Sequence, residues 1–181
     1  LQELGQLDAA VKSYERLLDI HPDYAVGHHK LGLALSALGQ IDEAIKCYEK
    51  ALAIKNEAPE VHNSLGNIFL ELGQNNAAAK HFKFAVDFKS DFEEGYNNLA
   101  LALLQLGQHD KAIKCYKKAL AIKPDYYLAH NNLGIAYLHL GQINDSINQY
   151  EKALESNPDY ADAYYNLSYL NKYTFNDPQI T

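Results

Sequence analysis

The chain has 181 residues, 48% of them apolar and 22% charged, with a formal net charge of −7. That is ample material for a core, while apolar runs of only a few residues exclude a membrane-spanning helix. The acidic balance argues against nucleic acid as a partner, because its binders normally carry a basic face. Cys47 and Cys115 stand 68 residues apart, too far along any layered helical chain for a disulfide. Both read as free thiols, which suits a reducing, cytoplasmic setting. The chain opens on Leu and holds no Met, and so is expected to be a piece of a longer one.

Leu-Gly-Gln recurs five times, with Gly5, Gly39, Gly73, Gly107 and Gly141 each 34 residues apart. A period that strict predicts one supersecondary unit stacked on copies of itself. Residues 1–24 read as the back two-thirds of a unit. Full units follow at 25–58, 59–92, 93–126 and 127–160, then a terminal helix at 161–173 and a tail, 174–181, leaving the array. Residues 1–4 begin inside a helix and cap it poorly, so the first unit is expected to fray or to pack on another copy.

Each unit predicts two helices. In the first, Leu31, Leu65, Leu99, Leu133 and Leu167 share one face with His28, His62, Tyr96, His130 and Tyr164 three residues earlier. Small residues stand beside that column: Gly32, Gly66, Ala100, Gly134 and Ser168. The Leu-Gly-Gln turn ends the helix, glycine taking the left-handed conformation. Asp8, Asp42, Asn76, Asp110 and Asn144 are expected to cap the second helix. Its inner face carries Ala44, Ala78 and Ala112 with Tyr14, Tyr48, Phe82, Tyr116 and Tyr150 four residues beyond the small position. Pro22, Pro124 and Pro158 stop the helix. Asp23, Asp91, Asp125 and Asp159 are expected to cap the next one.

The aromatic or His, Leu-Gly, Ala, Tyr or Phe, Ala, Pro pattern at this period resembles the tetratricopeptide repeat (TPR). The resemblance spans roughly residues 1–172. It implies an all-α fold, a right-handed superhelical α-solenoid of antiparallel helix pairs, whose first helices line a concave groove. The groove positions are then Asn63, Asn97, Asn131 and Tyr165; Asn98, Asn132 and Asn166; and Asn67, Leu101, Ile135 and Tyr169. Asn offers donors and an acceptor, so this ladder is expected to hold the backbone of an extended protein or peptide segment, with the apolar positions taking side chains. It resembles the TPR groove of O-linked N-acetylglucosamine transferase, where asparagines hold substrate peptide. The carboxylate clamp of chaperone-binding TPRs needs cations that Asn63, Asn67, Asn98, Leu128 and Asn132 do not supply.

Two alternatives compete with a peptide-binding scaffold. One is the substrate-recruiting arm of a larger transferase, a glycosyltransferase or sulfotransferase. The other is a scaffold that self-assembles into homo-oligomers through open solenoid ends. No catalytic centre, cofactor or metal site is expected within this segment. The eight histidines include no pair at helical zinc spacing, and no phosphate-binding loop or nucleophile motif occurs. On the second helices, Lys12 with Arg16, Lys46 with Lys50, and Lys114 with Lys118 predict a solvated basic stripe.

Overall fold

The computed structural model describes residues 2–174, with side-chain surroundings from 5 to 170. The described residues are helices joined by short turns. They form two compact units, divided between Ser90 and Asp91. The first holds α1 (Gln2–Ile20), α2 (Ala25–Ala37), α3 (Ile41–Ile54), α4 (Pro59–Glu71) and α5 (Asn75–Phe88). The second holds α6 (Glu93–Gln105), α7 (His109–Ile122), α8 (Tyr127–His139), α9 (Ile143–Ser156) and α10 (Ala161–Thr174). The dominant packing is within the hairpins α2–α3 and α4–α5 in the first unit, and α6–α7 and α8–α9 in the second. Among the described residues no helix is long and apolar enough to cross a membrane.

A small residue facing a ring sets how close each hairpin's helices come. A β-carbon on Gly66 would stand 2.5 Å from the Phe82 ring, and Gly32 and Gly134 meet Tyr48 and Tyr150 in the same way. These rings are at most 1% exposed, and Ala44, Ala51, Ala78, Ala85, Ala112, Ala119 and Ala153 are fully buried. Small residues thus form the sockets and the aromatics fill them. Ser146 occupies the alanine column in α9 and is also fully buried.

Each hairpin turn is a Schellman motif. At the first, Gly39 has φ +75°, its N–H donates to Ser36 O (2.9 Å) and that of Gln40 to Leu35 O (2.9 Å). Gly73, Gly107 and Gly141 repeat it. Gln40 then serves at once as the boundary of the next helix, its carbonyl accepting from Ala44 N at 3.0 Å.

This corrects the expected caps. Gln40, Gln74, Gln108 and Gln142 hold the N-cap positions of the second helices, and no side chain caps them. The turn is so short that Asp42 and Asp110 fall inside the first helical turn, where they favour the helix dipole without capping. The first helices differ likewise. Their N-caps are Tyr24, Ala58, Phe92 and Tyr126. Asp23 and Asp125 sit within β-turns closed by Tyr24 N to His21 O and Tyr126 N to Lys123 O, both 3.2 Å.

A second correction concerns α1, which runs unbroken through Leu4-Gly5-Gln6 and past Asp8. The expectations for fraying at residues 1–4 and for the tail at 174–181 rest on side chains and segments outside the described residues.

Candidate functional site

In the second unit the asparagines are joined in series. Asn166 Nδ2 donates to Asn131 Oδ1 (3.0 Å), and Asn131 Nδ2 to Asn132 Oδ1 (3.5 Å). Asn132 Nδ2 then donates to Asn97 Oδ1 (3.1 Å), and Asn97 Nδ2 to Asn98 Oδ1 (3.1 Å). Along this path the relay is polarised from α10 through α8 to α6.

The relay has two kinds of member. Asn97 and Asn131 are 5% and 3% exposed, buried in the seam between neighbouring first helices. Asn98, Asn132 and Asn166 are part-exposed. A buried amide needs partners, and here each buried one finds them in two surface amides. The surface amides are oriented in return. Asn132, for example, has one N–H and one oxygen lone pair committed, leaving a second donor and a second lone pair. The link between repeats spans 35 residues, one period plus one, because the buried position of one first helix meets the surface position of the next.

The first unit uses the same joint with other chemistry. His29 Nε2 donates to Ser64 Oγ at 3.0 Å, and the Ser64 hydroxyl donates to Glu60 O at 3.0 Å. His29 and Ser64 stand one period plus one apart, as Asn97 and Asn132 do. Burial, aided by Lys30, holds the His29 ring below its ordinary pKa, so it is neutral. His29 stands two periods before Asn97 and Ser64 one period before Asn98, yet a search for amides passes over them. The period-plus-one spacing is the signal that finds them. Asn63 is buried and Asn67 half-buried in this unit.

Of the expected apolar positions, Leu101 and Ile135 are half-buried, with Ile135 packed against the second unit's core. Tyr165 is 72% exposed and Tyr169 is 49% exposed. The helix α8 carries no Asp, Glu, Lys or Arg. Along α8 the seam therefore offers neutral donors and acceptors beside apolar surface, while Glu94 and Asp162 stand one helical turn before Asn98 and Asn166 on α6 and α10. Among the described residues no three His, Cys, Asp or Glu side chains gather as a metal site.

The family described as TPR repeat matches in five consecutive stretches, residues 1–39, 34–73, 66–107, 101–141 and 136–172. No curated protein sequence matches the chain. Among solved structures, MamA is similar at 27% identity and TM-score 0.78, over 88% of this chain and 94% of that one. YrrB, described as a TPR protein with an unusual peptide-binding site, is similar at 22% identity and TM-score 0.74, over 91% and 85% of the chains. The anaphase-promoting-complex hetero-tetramer Cut9–Hcn1 gives TM-score 0.83 at 21% identity, over 92% of this chain and 33% of that one. The last two likenesses carry the fold alone.

Proposed function

The chain belongs to the tetratricopeptide repeat family, a family of protein-interaction scaffolds, and from that premise we propose that its second unit binds the backbone of an extended peptide along the seam of α6, α8 and α10. The observation that carries this reading is the polarised relay from Asn166 to Asn98. Three surface amides are oriented before any ligand arrives, which lowers the ordering cost of binding. Outward-facing amide groups, such as the second donor and lone pair of Asn132, meet main-chain groups, so recognition is broad in sequence. Leu101 and Tyr169 add apolar contact beside the amides. Asn97 and Asn131 act through their neighbours and are positioning residues.

The test is selection from a library of displayed random peptides, followed by NMR titration of the side-chain amides. The proposal expects the Nδ2 resonances of Asn98, Asn132 and Asn166 to shift saturably. Shifts confined to other surfaces would reject this seam.

A further inference from the structure

A cleft of about 500 Å³ opens between α1, α2 and α3 in the first unit and is lined by none of the residues of the amide relay. Its volume falls within the roughly 300–1,000 Å³ of small-ligand sites. Leu18, Leu31 and Ile54 give it an apolar wall, and Glu15, Asp19, Asp23 and Lys50 line it with three carboxylates against one ammonium. All four charged residues are exposed.

The cleft also contains a polar group left unfinished. His28 Nε2 donates to Pro22 O at 2.7 Å, so in the neutral ring Nδ1 keeps its lone pair. His28 is only 8% exposed, and Nδ1 has no partner. The equivalent rings are completed from 19 residues further on. His62 Nδ1 meets His81 Nδ1 at 3.1 Å, and His130 Nδ1 meets the Gln149 amide at 2.8 Å. In this repeat the residue 19 further on is Cys47, whose short thiol also lines the cleft. The equivalent cleft at Leu120, Pro124 and His130 is smaller, about 350 Å³, and Lys152 and Glu155 balance each other there.

We propose that this cleft receives the guanidinium of an arginine side chain carried by a partner protein. The acidic rim supplies charge, and guanidinium pairs with carboxylates through two parallel N–H donors. The arginine stem lies on the apolar wall. His28 Nδ1 is itself covered, so when the Cys47 side chain turns aside a guanidinium N–H gives it the donor that the other repeats provide from within the chain.

The experiment follows iodoacetamide alkylation of Cys47 by peptide mass spectrometry in the presence of the tripeptide acetyl-Gly-Arg-Gly-amide. The proposal expects saturable protection of Cys47, and its loss when citrulline replaces arginine. Free guanidinium ion should protect only at far higher concentration; equal protection would overturn assignment to a peptide-borne side chain. Cys47→Gln copies the residue at position 149 and should raise the melting temperature while abolishing the NMR shifts the tripeptide causes. Should that variant fail to fold, the exposed pair Glu15→Gln and Asp19→Asn tests the same contact, and undiminished protection there would overturn the role of the acidic rim. No protection, or equal protection by the citrulline peptide, overturns the proposal. An Asn98→Ala, Asn132→Ala variant should still bind the tripeptide, which separates this cleft from the amide seam.

Discussion

The Asn132 side-chain amide donates to Asn97 Oδ1 at 3.1 Å, so a surface group on α8 is held by a buried one on α6. Asn97 passes the link to Asn98 on its own helix. Removing the buried member should therefore be felt at the surface. Asn97→Ala is expected to cost about 1 kcal/mol of stability and to weaken peptide binding although Asn97 is 5% exposed. Denaturant unfolding and peptide titration of the same variant check both halves.

The sockets predict an inversion of helix propensity. Gly66 lies inside α4, where alanine would ordinarily stabilise by about 1 kcal/mol. Its β-carbon would come within 2.5 Å of the Phe82 ring, which is fully buried. Gly66→Ala is expected to destabilise by about 1–3 kcal/mol, with partial rescue by Phe82→Leu. Urea midpoints of the two single variants and the double variant measure this.

Gly5 and Gly107 share one sequence motif and should respond oppositely. Gly107 has φ +70° at a helix end, where alanine is strained, so Gly107→Ala should destabilise by about 1 kcal/mol or more. Gly5 sits within α1 with open space around its missing β-carbon. Gly5→Ala should be neutral to stabilising, by up to about 1 kcal/mol. Thermal melts of both variants decide it.

Acid should weaken the first unit through the imidazole pair. His62 Nε2 donates to Asn56 O at 3.2 Å, so His62 Nδ1 accepts from His81 Nδ1 at 3.1 Å. Burial first, then His62 and Lys80, push His81 from its ordinary 6.5 down to about 4, and burial lowers His62. A lowered histidine binds fewer protons folded than unfolded. Its stabilising contribution is whole above pH 6.5 and is lost as pH falls toward about 4. Melting temperature followed by circular dichroism should drop across that window. His81→Gln, copying the Gln149 arrangement, should flatten the drop.

The period made most of the fold legible. First helices begin at Ala25, Pro59, Glu93, Tyr127 and Ala161, each one period after the last. The columns of small and aromatic residues identify the partners in each socket, and at Gly32, Gly66 and Gly134 the missing β-carbon is what lets the ring sit that close. Local electrostatics were less legible. Asp42 and Asp23 have capping chemistry, but turns of minimal length move the cap to Gln40 and Tyr24. Composition cannot count those residues without the hydrogen bonds.

At the seam, adjacent asparagines such as Asn97 and Asn98 look equivalent in sequence. A helix turns about 100° per residue, and that rotation buries the first against the neighbouring helix and leaves the second part-exposed. Their division of labour appears only once the first helices are placed side by side. The cleft at His28 was hidden for a related reason. Nothing about Cys47 in a string of residues signals that the column elsewhere holds a hydrogen-bonding partner for a histidine 19 positions back.

The most direct test of the amide seam is calorimetric titration of one library-selected peptide against the wild type and the Asn98→Ala, Asn132→Ala variant. Losing two surface amides is predicted to weaken binding about ten- to hundredfold, from roughly 1–3 kcal/mol of hydrogen bonding, with far-ultraviolet circular dichroism unchanged. Equal affinity for both proteins, with helicity intact, would contradict the account.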